Sequence, residues 1–433
     1  MWCGLLHRCN AKDEFLTVVI RQTRVVWFNT FNFPKTEVGS GKSGAPVQTL
    51  ENLEMKKTLV AIAALAAFGA QAQSSVTIDG YFDRGAIVTN NTNSAKSAKG
   101  VGSNAGTTTI GIKGVEDLGG GMKVGFSVNT DWADLAGTNQ DSTATTASSI
   151  QTGGFANSQS YLEFITGNLG KVQAGSINNE VLTNATSIAS PAFSTGVGSA
   201  YSSSWSIHSG MGTGTTGSGG IVTLADPTTN TYAGVRGIRQ ANTIKYVSPT
   251  VMGLTFSYGA AAQNEQGTAG TGKTVGVTDM SLRYTNGPVD VMYSSLEYKV
   301  GSVAPLNGSL VAGANNKLTL LGASYQVLPT LKLHAGTGAS TSSGLTNAVD
   351  ATSKQYGVTW NATPVIDVLA QVASVNDKTT NDKDRKMSGL GVDYKFSKTA
   401  RAYLRYDSLN LSANTTASGS EIKRTAIGVS KSF

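Results

Sequence analysis

The chain contains few side chains that could catalyse a reaction. Beyond residue 72 the only histidines are His208 and His334, and nucleophilic catalysis needs a base beside the nucleophile. His208 lies in a serine-rich segment, where a nearby serine carries little information. The sequence has no cluster of His, Cys and carboxylate residues with metal-ligand spacing, and no glycine motif placed to hold a phosphate. It therefore predicts no enzyme, no metal site and no cofactor.

The remaining chemistry is charge, and the charged residues alternate with apolar ones. Arg283 lies between Leu282 and Tyr284, and Lys332 and Arg405 also have apolar residues on both sides. A period of two puts the charges on one face of a β-strand and the apolar residues on the other. In a soluble sandwich the apolar faces would form a shared core. In a transmembrane barrel they contact lipid, and the charged face lines water.

Connector lengths favour the barrel. The pattern gives about sixteen strands, joined alternately by short turns and long loops as in outer-membrane barrels. The short turns include residues 167–168, 286–288, 328–329, 363–364 and 397–398. The long loops are rich in Gly, Ser, Thr and Asn and lie near residues 89–106, 132–156, 177–238, 264–276, 299–316, 342–353, 377–387 and 411–420. The expected fold is all-β, a single antiparallel transmembrane β-barrel over residues 73–433.

The third long loop, residues 177–238, is much longer than the others. Loops of more than about 15 residues without secondary structure are uncommon and usually have a function or are disordered. We expect this loop to fold into the lumen and narrow a pore. A flexible external loop is the alternative.

A secretory signal peptide precedes the barrel segment. Met55 is followed by two lysines, an apolar stretch from Leu59 to Ala70, and a small-residue tripeptide that ends at Ala72. The stretch is too short to span a bilayer core of about 30 Å as a helix, so cleavage between Ala72 and Gln73 is expected. We expect residues 1–54, which contain Cys3 and Cys9, to be a spurious or disordered extension without a folding role.

Composition limits the partners. The formal net charge is +7 and charged residues make up 14% of the chain. No basic run is interleaved with aromatic residues, so nucleic-acid binding is not predicted. Beyond residue 73 no stretch approaches the roughly 20 apolar residues of a membrane helix. Composition alone therefore leaves open both a soluble protein and an outer-membrane barrel, whose partner would be outer-membrane lipid.

Several segments resemble the general, non-specific porins of Gram-negative outer membranes. They are SSVTIDGYFDRG at 74–85, IGIKGVEDLGGGMKVGF at 110–126 and NTIKYVSPTVMGLTFSYGAA at 242–261. The resemblance covers nearly all of residues 73–433. It implies a homotrimer of sixteen-stranded barrels in the outer membrane, each a passive channel for ions and small hydrophilic solutes. It also implies a constriction between acidic groups on the third loop and basic groups on the wall.

The resemblance and the alternation together nominate site residues. Lys113, Arg239 and Lys245 fall on wall-facing positions of the family pattern. By alternation alone, Lys123, Arg283 and Arg405 share the polar face. On the third loop the acidic candidates are Glu180 and Asp226.

Two positions depart from the family pattern. Relatives usually carry arginines where this chain has Thr109 and Ser176. The resemblance therefore implies weaker anion selectivity than in a relative with a basic constriction. Phe433 ends the chain, as in relatives that use a terminal aromatic residue for recognition by the barrel-assembly machinery, although Lys431 replaces an apolar residue of that pattern.

Three alternatives remain open. A substrate-specific channel would need a lumen aromatic track for a sugar or a lysine cluster for an anion, and the register from sequence is uncertain by one residue. A barrel enzyme would need a catalytic base in a suitable setting. A secreted adhesin or β-solenoid would need a fixed short repeat, and none is visible.

Overall fold

The structure is a computed structural model that describes residues 74–92, 97–131, 156, 158–200, 239–264, 274–300, 310–345, 350–378, 384–412 and 420–433. Several predictions lie outside these residues: the extension at 1–54, the signal peptide at 55–72 with its cleavage between Ala72 and Gln73, and the roles of His208 and Asp226. Among the described residues, no helix is long and apolar enough to cross a membrane.

Antiparallel strands form one sheet that closes on itself, because the first strand pairs with the last. The strands are β1 (Ser75–Asn91), β2 (Ala98–Gly102), β3 (Thr109–Gly119), β4 (Met122–Asp131), β5 (Ser160–Thr166), β6 (Gly170–Asn178), β7 (Arg239–Val247), β8 (Leu254–Asn264), β9 (Thr274–Asn286), β10 (Val289–Val300), β11 (Leu310–Leu328), β12 (Leu331–Leu345), β13 (Asp350–Thr363), β14 (Ile366–Asp377), β15 (Arg385–Lys395), β16 (Ala400–Leu411) and β17 (Ser420–Ser432). The predicted all-β barrel is confirmed.

Two of these strands, β2 and β3, together occupy one strand position of the barrel wall, and we call each such position a stave. β2 pairs with the C-terminal part of β1, from Gly85 to Thr89. β3 pairs with its N-terminal part, from Ser75 to Tyr81. Residues 103–108 interrupt the stave between them. The wall therefore contains sixteen staves, in agreement with the predicted number.

Some predicted loop limits are wrong. β2 lies inside the predicted loop 89–106, and β12 and β13 extend into the predicted loop 342–353. Strands that continue beyond the bilayer contact water on both faces, so they lack the apolar alternation that identifies a strand in sequence.

The outer face of the barrel is apolar. Leu282 is 49% exposed and Leu404 is 50% exposed, whereas Arg405 beside it is only 1% exposed. The same alternation holds on β15, where Leu390 is 57% exposed and Asp393 only 1%. An exposed apolar belt of this kind fits hydrocarbon as its solvent, because a closed barrel leaves no backbone group unpaired in lipid.

The chain end completes the closure. The backbone N–H of Gly80 donates to the carbonyl of Phe433 at 3.2 Å, and that of Phe433 donates back to Gly80 at 3.1 Å. The Phe433 ring stacks on Phe82 with 5.8 Å between the ring centroids. The last residue thus continues the pairing of β1 with β17 beyond the end of the strand.

The third long loop enters the barrel, as predicted. We call its described part, residues 179–200, the lumen loop. It contains a short helix, α1 (Glu180–Asn184), and a π-helical turn (Ala185–Ala189). The apolar side of the lumen loop packs on the inner wall against a buried cluster that includes Leu296, Leu318 and Leu320. The core of this protein therefore lies between loop and wall.

Glycines on the inner wall give the lumen loop its space. A Cβ on Gly389 would lie 2.5 Å from the carbonyl oxygen of Gly198 in the loop. A Cβ on Gly336 would lie 2.8 Å from the Cβ of Ala189. Real Cβ atoms do not approach other atoms this closely, so the loop can lie against the wall only because these side chains are absent.

Replacement of Gly389 by alanine tests this arrangement. The added Cβ must push the loop backbone at Gly198 away from the wall and toward the channel axis, at an overpacking cost of about 1–3 kcal/mol. We expect a lower single-channel conductance in planar bilayers. Gly276→Ala is the matched control, because the nearest atom to its Cβ would be 3.9 Å away. Wild-type conductance in Gly389→Ala would contradict the position of the loop.

Candidate functional site

The lumen loop begins at a buried ion triad. Lys245 on β7 is 2% exposed, and its Nζ lies 2.8 Å from Glu180 Oε1 and 3.1 Å from Asp279 Oδ2 on β9. Its Nζ also donates to the carbonyl oxygen of Asn178 at 2.7 Å. The backbone N–H of Glu180 donates to both carboxylate oxygens of Asp279 at 3.0 Å. One cation and two carboxylates thus fix the first turn of the loop to two wall strands.

A second attachment follows within the same turn. The side-chain amide of Asn184 donates to the carbonyl oxygens of Met292 at 2.8 Å and Leu320 at 3.0 Å, and to the hydroxyl of Ser294 at 3.0 Å. Its Oδ1 approaches Gly322, where a side chain on the wall would collide with it. Asn184 therefore connects the loop to β10 and β11.

The second half of the lumen loop is attached to β14 and β16. The Ser190 hydroxyl donates to Gln371 Oε1 at 2.7 Å. The ring of Phe193 lies under the guanidinium of Arg405, 5.6 Å from its centroid, in a cation–π arrangement. The backbone N–H of Gly198 donates to Asp407 Oδ2 at 2.8 Å.

The interrupted stave, formed by β2 and β3, contacts the last part of the lumen loop. Asp83 is fully buried, and its carboxylate accepts hydrogen bonds from the Tyr403 hydroxyl at 2.6 Å and from the backbone N–H groups of Ala105 and Gly106 at 2.5 Å and 3.0 Å. These bonds hold segment 103–108 in place. Within it, the backbone carbonyl of Asn104 accepts a hydrogen bond from the N–H of Val197 in the lumen loop at 2.7 Å. Asp83 thus connects the barrel seam, the interruption and the loop.

Two predicted pore-lining residues do not line the open channel. Both are on the inner face of the wall, as the family pattern predicts for Lys245 and the alternation for Arg405, but they are 2% and 1% exposed because the lumen loop covers them. Arg405 lies 2.5 Å from Asp393. The period of two identifies the inner face, but it cannot show which part of that face the loop will occupy.

The other predicted basic residues are also paired with acids. Lys113 forms an ion pair with Asp79 on the inner face, and the two side chains are 48% and 41% exposed. The remaining pairs are Lys123 with Asp117 at 3.6 Å, Arg239 with Asp131 at 3.1 Å, and Arg283 with Asp290 at 2.5 Å. Glu180 is 14% exposed and belongs to the Lys245 triad, so it anchors the loop instead of lining the opening.

The side of the lumen loop that is turned away from the wall has no charge among the described residues. Beyond Glu180, its partly or fully exposed side chains are those of Thr183, Thr186, Ser187, Pro191, Ala192, Ser194 and Thr195. The Thr195 hydroxyl lies 3.2 Å from that of Thr107 in the interrupted stave. The described part of the loop therefore presents mainly hydroxyl groups to the channel, with Pro191 and Ala192 between them.

Sequence reasoning missed Asp279 and Asn184, although both hold the lumen loop. Asp279 lies two residues before Ser281 in an alternating stretch, so its inner-face position could have been found by the same period that identified Arg283. Asn184 gave no signal, because it lies in a predicted loop rich in polar residues. His334 is buried on the inner wall, and its Nε2 is 3.1 Å from the Thr359 hydroxyl.

Comparisons with known proteins agree with this geometry. A family model described as Gram-negative porin matches residues 58–414. Outer membrane porin protein 32 of Delftia acidovorans is 30% identical over 266 residues, which cover 60% of this chain and 66% of that protein, just under two thirds of its length. The anion-selective porin from Comamonas acidovorans superposes with a TM-score of 0.62 at 23% identity, covering 83% of this chain and 100% of that one. OmpT of Vibrio cholerae, folded in vitro and in its trimer form, superposes with a TM-score of 0.55 at 14% identity, covering 83% of this chain and 99% of that one.

Replacement of Lys245 by methionine tests the triad. The change leaves the buried carboxylates of Glu180 and Asp279 without their cation, and breaking a buried pair costs about 3–5 kcal/mol. We expect the barrel to unfold at lower urea concentration in detergent, with restoration in Lys245→Met combined with Glu180→Gln and Asp279→Asn. Lys123→Met is the control, since its pair is solvent-exposed and exposed pairs contribute less than about 1 kcal/mol. Equal stability of Lys245→Met and wild type would contradict the anchoring role.

Proposed function

The chain belongs to the Gram-negative porin family, and we propose that it is a passive, weakly charge-selective diffusion channel for ions and small hydrophilic solutes. It is an outer-membrane protein that crosses the bilayer with many strands. Water in the lumen would carry the solutes, and no chemical step is involved. The lumen loop would set the width of the passage.

One observation supports weak selectivity: each predicted lumen cation has a carboxylate partner. A cation and an anion in contact form a dipole, whose potential falls faster with distance than that of a single charge. At about 0.1 M salt the Debye length is about 10 Å, so dissolved ions also screen the remaining potential of each pair across the lumen. The six predicted pore-lining cations and their partners are therefore close to electrically balanced.

The hydroxyl groups of the lumen loop support the same conclusion. Ser and Thr side chains offer both a donor and an acceptor, so they can replace water around a passing ion or polar solute without preference for one sign of charge. Relatives with a basic constriction are expected to favour anions through their arginines. In this proposal Thr109 and Ser176 take the corresponding positions, as the resemblance implies. The Thr109 hydroxyl donates to the carbonyl of Thr130 at 3.1 Å.

Assembly and export belong to the same proposal. We propose a homotrimer, inserted with the help of the barrel-assembly machinery through Phe433, after removal of the signal peptide 55–72. The family match begins at residue 58, which leaves residues 1–54 outside it. OmpT of Vibrio cholerae, a structural neighbour, is described in a trimer form.

We propose that the protein has no enzymatic activity. His334 contacts the hydroxyl of Thr359 on the inner wall. Catalysis by such a pair would also require a carboxylate or another group to orient the imidazole. The inner-wall cations Lys245, Arg283 and Arg405 are instead engaged in ion pairs with carboxylates.

Separation of the Lys113–Asp79 pair tests the charge balance. Asp79→Asn leaves Lys113 unpaired in the channel, and Lys113→Met leaves Asp79 unpaired. A unit charge about 5 Å from a passing ion in water is worth about 0.8 kcal/mol, which screening at a Debye length of about 10 Å reduces to about 0.5 kcal/mol. The energy has opposite sign for chloride and potassium, so we expect the chloride-to-potassium permeability ratio to rise about fivefold in the first variant and to fall similarly in the second. Reversal potentials in a KCl gradient measure this ratio.

Asp117→Asn serves as the control for that experiment. It releases Lys123 beside the short turn between β3 and β4, so we expect a smaller shift. A wild-type channel that strongly prefers anions, and that loses this preference in Lys113→Met, would contradict the proposed balance.

A further inference from the structure

A recess opens in the inner wall near the short turns that join β9 to β10 and β11 to β12. It has a volume of about 470 Å³, and its polar lining includes Asp290, Ser324, Gln326 and Lys332. Short turns of bacterial barrels face the periplasm, so we call it the periplasmic recess. None of the lumen-loop contacts described above uses these four side chains.

Lys332 brings a cation into the recess without an acidic partner. Its neighbour Leu333 is 45% exposed on the outer face, so Lys332 points to the inside. Asp290 borders the same recess, but its carboxylate pairs with Arg283. Lys332 forms no ion pair with a described carboxylate, although it interacts electrostatically with Asp290 from farther away. Its ammonium group is therefore available to an anionic group that enters the recess.

Ser324 adds a buried donor beside this cation. The residue is 3% exposed, and its hydroxyl has no hydrogen-bond partner among the described residues. Buried polar groups are rarely left unpaired. Because Ser324 borders the recess, an acceptor atom of a bound molecule would satisfy its hydroxyl.

Two acceptors border the recess as well. Gln326 Nε2 donates to the carbonyl oxygen of Leu328 at 2.6 Å, which leaves Gln326 Oε1 as the acceptor. Asp290 Oδ1 accepts from Arg283 Nε at 2.8 Å and from the Thr285 hydroxyl at 3.2 Å. Asp290 Oδ2 accepts from Arg283 Nη2 at 2.5 Å. A carboxylate oxygen has about two lone-pair sites, so Asp290 Oδ2 can accept one more hydrogen bond.

We propose that the periplasmic recess binds the zwitterionic backbone of an α-amino acid, a subsite that rests on the channel function proposed above. The carboxylate of the amino acid accepts from Lys332 Nζ and the Ser324 hydroxyl. Its ammonium group donates to Gln326 Oε1 and Asp290 Oδ2. A simple anion would leave the two acceptors unused beside the charge of Asp290, and a simple cation would be repelled by Lys332.

The size of the recess and its exposure to the lumen fit such a solute. Pockets of about 300–1,000 Å³ hold drug-sized ligands, so about 470 Å³ accepts an amino acid whose side chain extends toward the lumen. A site in a conducting channel must also release its solute, which requires weak binding. The recess provides four polar partners and no lid among the described residues, so binding and release can both be fast.

A ligand-observed NMR titration of the detergent-purified, full-length protein tests this proposal. The probes are L-alanine, N-acetyl-L-alanine, which lacks the ammonium charge, and L-alaninamide, which lacks the carboxylate. We expect saturable binding of alanine and about tenfold weaker binding of each analogue, because each loses one charge-assisted contact. Lys332→Met should weaken alanine binding about tenfold and Ser324→Ala about fivefold.

Lys398→Met is the matched control. Lys398 is exposed beside the short turn between β15 and β16, on the same side of the membrane, and it does not line the recess. We expect it to bind alanine as tightly as wild type. Alanine binding in Lys332→Met equal to wild type, or a loss in Lys398→Met as large as in Lys332→Met, would overturn the assignment to this recess.

The three probes are compared on the wild-type protein, so the test does not depend on the folding of a variant. Binding of either analogue as tight as that of alanine would overturn a zwitterion site. A protein that conducts ions in planar bilayers and binds none of the probes would overturn the amino-acid subsite and leave the channel in place. A protein that binds alanine without conducting ions would overturn the proposed channel and leave the site.

Discussion

Lys245 is buried between Glu180 and Asp279 at the point where the lumen loop begins. A cation in such a setting is stable only while both carboxylates remain in place, because removal of one partner leaves a charge without water and without compensation. The triad therefore fixes the direction in which the loop leaves β6. Once its first turn lies against β9 and β10, the next residues pack along the inner wall, where glycines leave room and Asn184 and Phe193 find their partners.

This attachment has an electrostatic consequence for the pore. Charges that hold the loop are removed from the surface that solutes meet. Lys245 and Arg405 neutralise acids under the loop, and the described loop surface that faces the channel carries hydroxyl groups. The position of the lumen loop and the ion selectivity of the channel are thus linked. Lys245 and Glu180, which the family resemblance assigns to the constriction, hold the loop against the wall instead.

Much of the fold could be predicted from the sequence, because lipid imposes simple rules. An alternating pattern identifies each membrane-spanning strand, short turns alternate with long loops, and a barrel must close to satisfy its backbone. The pattern failed where those rules do not apply. β2 has only five residues, and its exposed face carries Lys99 beside Val101, so it shows no apolar alternation. Leu296, Leu318 and Leu320 are apolar on the inner face, where alternation predicts polar residues, since the loop and not water covers them.

The candidate site could be predicted only in part, for the same reason. Alternation located Lys123, Arg283 and Arg405 on the inner face, but it contains no information on which of them the loop covers. That depends on contacts between residues far apart in sequence, such as Asp279 with Glu180 and Gly389 with Gly198. Small residues on the inner face of several neighbouring strands were the available signal, because a wall without side chains there must be filled by another part of the chain.

The most direct test of the central claim is a disulfide between loop and wall. The hydroxyl oxygens of Thr107 and Thr195 are 3.2 Å apart, so cysteines at both positions can bond after small rotations, and the chain has no cysteine beyond Cys9. In the double variant Thr107→Cys, Thr195→Cys, we predict that peptide mass spectrometry finds the crosslink in assembled barrels under mild oxidation, with conductance close to that of wild type. Free thiols in assembled barrels, with a crosslink appearing only after unfolding, would contradict a loop fixed inside the lumen.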